Sequence, residues 1–247
     1  METNKEPIIV IKELHKTFGT NTVLNGFNLV LNEGENLVVM GKSGSGKSVM
    51  IKCVIGLETS DSGSIFVMNK EINTLEREAI DELRTEIGFL FQGSALYDSM
   101  SVRENLEFPL RRHTKKFGVI EDTTPLVMEA LESVGLAHAI DLMPNELSGG
   151  MKRRIALART LILKPKIILY DEPTTGLDPI TSKEIVLLMN SVQKKYNTSS
   201  IIITHDVDCA KVIANRMILL IDGVNYIEGT FSELSSSSDP KVQAFFK

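Results

Sequence analysis

The chain has 247 residues, a formal net charge of −5, and 43% hydrophobic and 24% charged residues. That is ample apolar material for a full core and too little positive charge for a general nucleic-acid surface, so no nucleic-acid partner is expected. Residues 1–7 carry no apolar segment of signal-peptide type, and no apolar run approaches the roughly twenty residues of a membrane helix, so work at a membrane would need a partner. Cys53 and Cys209 make no metal or paired-cysteine pattern, which suits a reduced cytosolic protein.

In chain order, Ile8-Ile9-Val10-Ile11 opens a strand, and residues 12–31 continue as short apolar groups broken by Gly19, Asn21, Asn25 and Gly26, which read as hairpins. Phe18, just before Gly19, is either a plug for a hairpin core or an aromatic platform for a purine. Asn36-Leu37-Val38-Val39-Met40 then has the length and branching of a buried strand, and Val49-Met50-Ile51-Lys52-Cys53-Val54-Ile55 has apolar residues at a helical period. Between them, Gly41-Lys42-Ser43-Gly44-Ser45-Gly46-Lys47-Ser48 matches the phosphate-binding loop. Its glycines let backbone N–H groups turn toward phosphates, and the helix that begins there aims its positive end at the anion. Lys47 would reach the β- and γ-phosphates and the Ser48 hydroxyl would ligate Mg²⁺, with Val49 bordering the loop. An ordinary Gly/Ser turn is the competing reading, and strand before with helix after argues against it.

Residues 75–86 suggest an amphipathic helix, and Ile87-Gly88-Phe89-Leu90-Phe91 a buried strand ending at Gln92, which is either an idle solvated amide or a Mg²⁺ or water ligand. From 93 to 165 strand signals vanish and helices are expected over 102–110, 125–134 and 149–163, as an insertion between core strands. Within it, Ser148 caps the last helix, and Gly149 and Gly150 leave N–H groups open to an anion. The following Lys152, Arg153 and Arg154 read as a solvated face.

Ile167-Ile168-Leu169-Tyr170 is a further buried strand, ending in Asp171-Glu172 where α/β sheets place ligands. Asp171 would orient the Mg²⁺ shell and Glu172 would polarise an attacking water. A turn over 174–179 leads into a helix over 180–195, and Ser200-Ile201-Ile202-Ile203 ends at Thr204-His205-Asp206. A lone histidine is more often a structural hydrogen-bonder, but His205 closes a third strand and could contact the γ-phosphate and hold Glu172 and water, whereas His15, His113 and His138 have no such place. Residues 217–221 and 224–228 form a closing hairpin, 235–238 a flexible joint, and Val242, Phe245 and Phe246 make the last residues apolar enough to dock on this chain or a partner.

The phosphate loop, Gln92, Leu147-Ser148-Gly149-Gly150, Asp171-Glu172, Gly176-Leu177-Asp178 and His205, in that order, resemble the ATP-binding-cassette (ABC) ATPases over nearly the whole chain. The resemblance implies an α/β P-loop nucleotide-binding domain with a RecA-like core, an antiparallel β subdomain and an inserted helical subdomain. On that pattern residues 1–247 are one ABC ATPase domain: 1–92 and 166–234 are core plus β subdomain, 93–165 helical subdomain and 235–247 a C-terminal tail. It further implies that Phe18 stacks on adenine and that Gln92 senses Mg²⁺ and a membrane permease. Ser148, Gly149 and Gly150 would bind the phosphates of ATP held by a second copy, with Asp178 at the seam. Met151 where Gln is usual, Val49 where Thr is common and Tyr170 before Asp171 depart from the general pattern.

Gly46-Lys47-Ser48-Val49, Ala95-Leu96-Tyr97-Asp98-Ser99-Met100-Ser101-Val102, Glu104-Asn105, Phe108-Pro109-Leu110, residues 147–151 and Asp239-Pro240-Lys241-Val242 are similar to the ATPase of Mla-type, MCE-associated phospholipid transporters. That implies a peripheral protein on the cytoplasmic face of the inner membrane, helping to maintain outer-membrane lipid asymmetry. Its partners would be an integral permease, a periplasmic MCE lipid-binding protein and sometimes a small cytoplasmic accessory subunit. An importer ATPase for amino acids or another small solute is the alternative. Absent heptads argue against a chromosome-organising cassette, the single cassette against a translation factor, and Glu71-Ile72 after Asn69-Lys70 against a GTPase.

Overall fold

The computed structural model describes residues 6–114 and 118–246, which form two sheets. β1 (Pro7–Phe18) and β2 (Asn21–Asn32) make one long hairpin, β3 (Asn36–Met40) leaves for the second sheet, and β4 (Ser62–Val67) with β5 (Lys70–Glu71) return to the first. The first sheet is antiparallel in the order β2-β1-β4-β5. Residues 12–31 therefore give a single hairpin instead of several. Its strand pairing shifts register between Ile11 and Leu14, where Glu13 sits at φ 46° and absorbs the irregularity.

The second sheet adds β6 (Ile87–Leu90), β7 (Ile167–Asp171), β8 (Ser199–Thr204), β9 (Arg216–Ile221) and β10 (Val224–Gly229) in the order β10-β9-β3-β8-β7-β6. Its pairings are parallel except the β9–β10 hairpin. Both faces of its central strands are covered, which is why they read as continuous apolar runs. Leu37 and Val39, Ile167 and Leu169, and Ile201 and Ile203 face the antiparallel sheet together with Met50, Ile51 and Val54 of α1 (Lys47–Val54). The alternate residues Val38, Met40, Ile168, Tyr170 and Ile202 face the opposite layer of helices.

α2 (Arg77–Arg84) precedes β6, and α3 (Val102–Arg112), α4 (Thr124–Ser133) and α5 (Gly149–Leu161) come between β6 and β7. α6 (Pro179–Tyr196) links β7 to β8 and α7 (Val207–Ile213) links β8 to β9. Leu106, Leu131, Ile155, Val186 and Ile213 join these five helices, α3 to α7, into one apolar cluster on that face of the sheet. Among the described residues no helix is long and apolar enough to cross a membrane.

The expected joint over 235–238 is instead the end of α8 (Phe231–Ser235), where Ser235 and Ser236 hydroxyls donate to the Ser232 carbonyl, followed by the capped start of α9 (Pro240–Gln243). The open question of the last residues resolves toward this chain. Val242 is fully buried, Phe246 meets Phe231 edge-on at 5.5 Å, and the Tyr226 hydroxyl donates to Asp239 at 2.7 Å.

Candidate nucleotide site

The phosphate loop joins β3 to α1. Gly44 and Gly46 sit at φ 78° and 101°, backbone that favours glycine, and a side chain at Gly46 would also meet Val23 Cγ1 at 2.7 Å. Lys42, Ser43 and Gly44 are exposed, while Lys47 is only 6% exposed. Its ammonium folds back to donate to the carbonyls of Gly41 at 2.7 Å and Lys42 at 3.0 Å. Burial pushes the Lys47 pKa down, against the pull of Glu172 and Asp171. A cavity of about 610 Å³ opens on the outer arm of the loop, between Val23, Ser43, Ile221 and Phe245.

The end of β7 meets this loop. The Ser48 hydroxyl donates to Asp171 Oδ1 at 3.0 Å, and burial raises the Asp171 pKa in spite of that bond. Glu172 sits at φ 50°, a left-handed conformation that costs about 1–3 kcal/mol at a non-glycine residue and is held here by its N–H donating to the Ile203 carbonyl at 2.9 Å. Glu172 Oε2 accepts from the Thr175 hydroxyl at 3.2 Å and lies 2.8 Å from Nδ1 of His205, and Oε1 is 3.9 Å from the Lys47 ammonium. Thus Lys47, Ser48, Asp171, Glu172 and His205 converge from the carboxyl ends of β3, β7 and β8, which are neighbours in the parallel sheet.

The groups present fit a polyphosphate with a hard cation. The buried Lys47 ammonium has its one ion-pair partner among the described residues, Glu172, no nearer than 3.9 Å, and a hydroxyl beside a desolvated carboxylate is the oxygen set that Mg²⁺ takes.

Other expected site residues lie outside this cluster, joined to it by no hydrogen bond or ion pair among the described residues. Phe18 ends β1 with 46% of its surface exposed and the Lys16 ammonium 4.9 Å from its ring centre, so it is not a core plug. Gln92 is exposed in the turn after β6, and Val49 is half-buried against the antiparallel-sheet core. Ser148 caps α5, accepting from the Met151 N–H at 3.2 Å. Gly149 lies beside Leu177, and a Cβ on Gly150 would meet Thr181 Cγ2 at 2.7 Å, so close packing of α5 on α6 also requires a small residue there. Asp178 caps α6 by accepting from the N–H groups of Ile180 and Thr181, and hydrogen bonds from Thr181 hold its carboxyl below the usual range.

The basic run after Gly150 does not form a solvated face. Arg154 pairs with Glu184 at 2.6 Å, and Arg153 is 4% exposed with its guanidinium spanning the carbonyls of Phe91 and Thr175. Arg159, which the sequence reading passed over, donates to the carbonyls of Ser94 and Ala95. At about 100° per residue, Arg153 shares a helix face with the buried Ala156 and Leu157, three and four residues on, while its neighbours Lys152 and Arg154 are half-buried, a signal present in that spacing.

A phosphate loop between strand and helix, with acidic residues at the next strand ends of a parallel sheet, defines a P-loop nucleotide-binding protein. The sequence profile of the ABC transporter family matches residues 24–175, and the chain belongs to that family. It is similar to the methionine import ATP-binding protein MetN of Clostridium tetani, 40% identical over 216 residues that cover 87% of this chain and 67% of that one. It is also similar to the probable ribonucleotide transport ATP-binding protein mkl of Mycobacterium leprae, 38% identical over 237 residues, 96% of this chain and 68% of that one. Among solved structures, the dimeric ATP-binding cassette MJ0796, in a post-hydrolysis state bound to ADP and Pi, superposes with a TM-score of 0.81 at 32% identity. That match covers 90% of this chain and 98% of that one. The chain is an ATP-binding and ATP-hydrolysing subunit of an ABC transporter.

Proposed function

We propose that ATP binds with its phosphates in the loop 41–48, its adenine on Phe18, and its γ-phosphate beside Glu172 and His205. The convergence of Lys47, Ser48, Asp171, Glu172 and His205 carries this reading. Lys47 neutralises phosphate charge at a buried position, where the interaction is stronger than in water. Ser48, Asp171 and Gln92 would hold Mg²⁺, which would supply neutralisation of phosphate charge. Glu172 accepts a proton from the attacking water, and His205 and Thr175 fix the carboxylate that does so. Ser148, Gly149, Gly150 and Asp178 complete the site of a second copy. Exposure of the Ser148–Gly149 end of α5 and the dimeric relative support that arrangement. Glu172→Gln is expected to retain ATP binding and lower turnover by roughly 10²-fold or more. Hydrolysis at the wild-type rate in steady-state assays contradicts the role given to Glu172.

The cargo we infer is phospholipid moved between bacterial membranes. The chain would sit peripherally on the cytoplasmic face of the inner membrane, with a permease, a periplasmic MCE protein and an accessory subunit. Of the residues that carry the Mla-type resemblance, those of 97–108 form a built surface. Asn105, fully buried, accepts from the Tyr97 N–H at 2.8 Å and donates to the carbonyls of Tyr97, Met100 and Ser101. Tyr97 is left 43% exposed with its ring centre 4.8 Å from that of Phe108 and the planes tilted at 51°, an aromatic patch suited to receive a permease segment. The importer alternative is favoured by the MetN relative at 40% identity. Purification from the native membrane separates the two: an MCE protein and bound phospholipid support lipid transport, and a solute-binding protein supports import.

A further inference from the structure

Arg153 is a buried cation on the inward face of α5. Its side chain is 4% exposed, its Nε has no hydrogen-bond partner, and among the described residues no carboxylate lies within ion-pair distance of it. Burial lowers its pKa, as expected for an uncompensated cation. What it gains is two carbonyls from separate segments: one terminal nitrogen donates to Phe91 at 2.7 Å, the other to Thr175 at 3.3 Å.

Those carbonyls are informative. Phe91 C=O belongs to the same peptide unit as the Gln92 N–H, so the bond fixes the plane from which Gln92 projects. Thr175 C=O belongs to the same unit as the Gly176 N–H. Gly176, at φ 81° with open space around it, has no side chain to hold this turn, and the Thr175 hydroxyl donates to Glu172 at 3.2 Å. One planar guanidinium, rooted five residues after Ser148, therefore joins the end of β6 to the turn that orients the Glu172 carboxylate. Two donors in a fixed fork make it stiffer than any single-headed side chain.

We propose that Arg153 is a positioning residue for ATP hydrolysis, tying the orientation of Glu172 to that of Gln92 so that displacement of the Gln92 strand end moves the water-polarising carboxylate. The inference rests on the roles given above to Glu172 and Gln92. Arg159 provides the comparison, because it projects from the same helix to carbonyls of the same loop, at Ser94 and Ala95, but makes no bond to the Glu172 turn.

The test uses the transporter complex purified with its membrane partners and compares Arg153→Gln, Arg153→Lys, Arg159→Gln and Glu172→Gln by ATP turnover and thermal midpoint. Arg153→Gln is expected to lower kcat between about ten- and a hundredfold with KM for ATP within about twofold, the signature of a misplaced catalytic group. Arg153→Lys recovers part of that loss, and Arg159→Gln at an equal drop in midpoint keeps kcat within about threefold. Wild-type kcat in Arg153→Gln, or an equal loss in Arg159→Gln, overturns the proposal. If Arg153→Gln does not fold, Arg153→Lys decides: reduced kcat at constant KM supports the role and wild-type kcat refutes it. Glu172→Gln separates the two levels. If it hydrolyses at full rate the underlying reading fails, and if it is inactive while Arg153→Gln is not, only the present inference fails.

Discussion

The phosphate loop and the Ser148–Gly150 helix start are both glycine-rich helix N-termini, yet the chain treats them differently. Around the loop, Lys47, Ser48, Asp171, Glu172 and His205 are already gathered from three strand ends, with Lys47 and Asp171 shifted by burial toward neutrality. At α5, Ser148 and Gly149 are exposed, and no hydrogen bond or ion pair among the described residues links them to the loop of the same chain. The first half is a preassembled cluster whose buried cation is only loosely paired, with Glu172 3.9 Å away. The second presents a capped, exposed helix start outward, the feature on which its proposed role toward a phosphate of another copy rests.

Breaking the first half should have the largest effect. Lys47→Ala removes the buried cation and is expected to abolish detectable ATP binding in equilibrium measurements, whereas normal affinity would refute the loop assignment. Ser148→Arg attacks the second half. Loss of the cap costs about 1 kcal/mol, too little to unfold the chain, so the isolated variant should bind ATP normally and fail to hydrolyse it. Reduced affinity in the isolated variant would place Ser148 in its own chain's site.

The smallest expected effect lies at the tail, where the Tyr226 hydroxyl and the Lys241 N–H hold the Asp239 carboxyl below its ordinary pKa of 3.8. A depressed folded pKa contributes stability that is present above 3.8 and lost as pH falls through the lower folded value. Hydrogen exchange at the amides following Asp239 should therefore accelerate in that acid range. Asp239→Asn should show faster exchange at neutral pH and lose the acid step.

What the sequence disclosed follows from where its signals are local. Residues 37–40 are apolar throughout because both faces are covered, and the phosphate loop, Asp171-Glu172 and His205 sit at the ends of such runs. β4 escaped notice because it begins Ser62-Gly63-Ser64, and a Cβ on Gly63, at φ 89°, would run into the Glu13 carbonyl, a reason for glycine that only tertiary contact supplies. The serines of 235–238 read as a flexible joint, but the Ser235 and Ser236 hydroxyls close α8 by donating to its own carbonyls. Arg153 was masked by Lys152 and Arg154: three charges in a row read as surface, and only the helix rotation shows that the middle one is inside. For Ser148, Gly149, Gly150 and Asp178, the local geometry accounts for two helix caps and one tight helix crossing, and their role toward nucleotide comes from the family resemblance.

The central claim, that each ATP site is built from the loop of one copy and the Ser148–Gly150 segment of another, is tested most directly by mixing. Lys47→Ala and Ser148→Arg chains are each expected to be inactive alone. A heterodimer of the two contains one site with both halves intact, so ATPase activity should reappear on mixing in proportion to the heterodimer formed. Mixtures that form heterodimers and stay inactive, or a Ser148→Arg homodimer that hydrolyses ATP at the wild-type rate, would contradict the account.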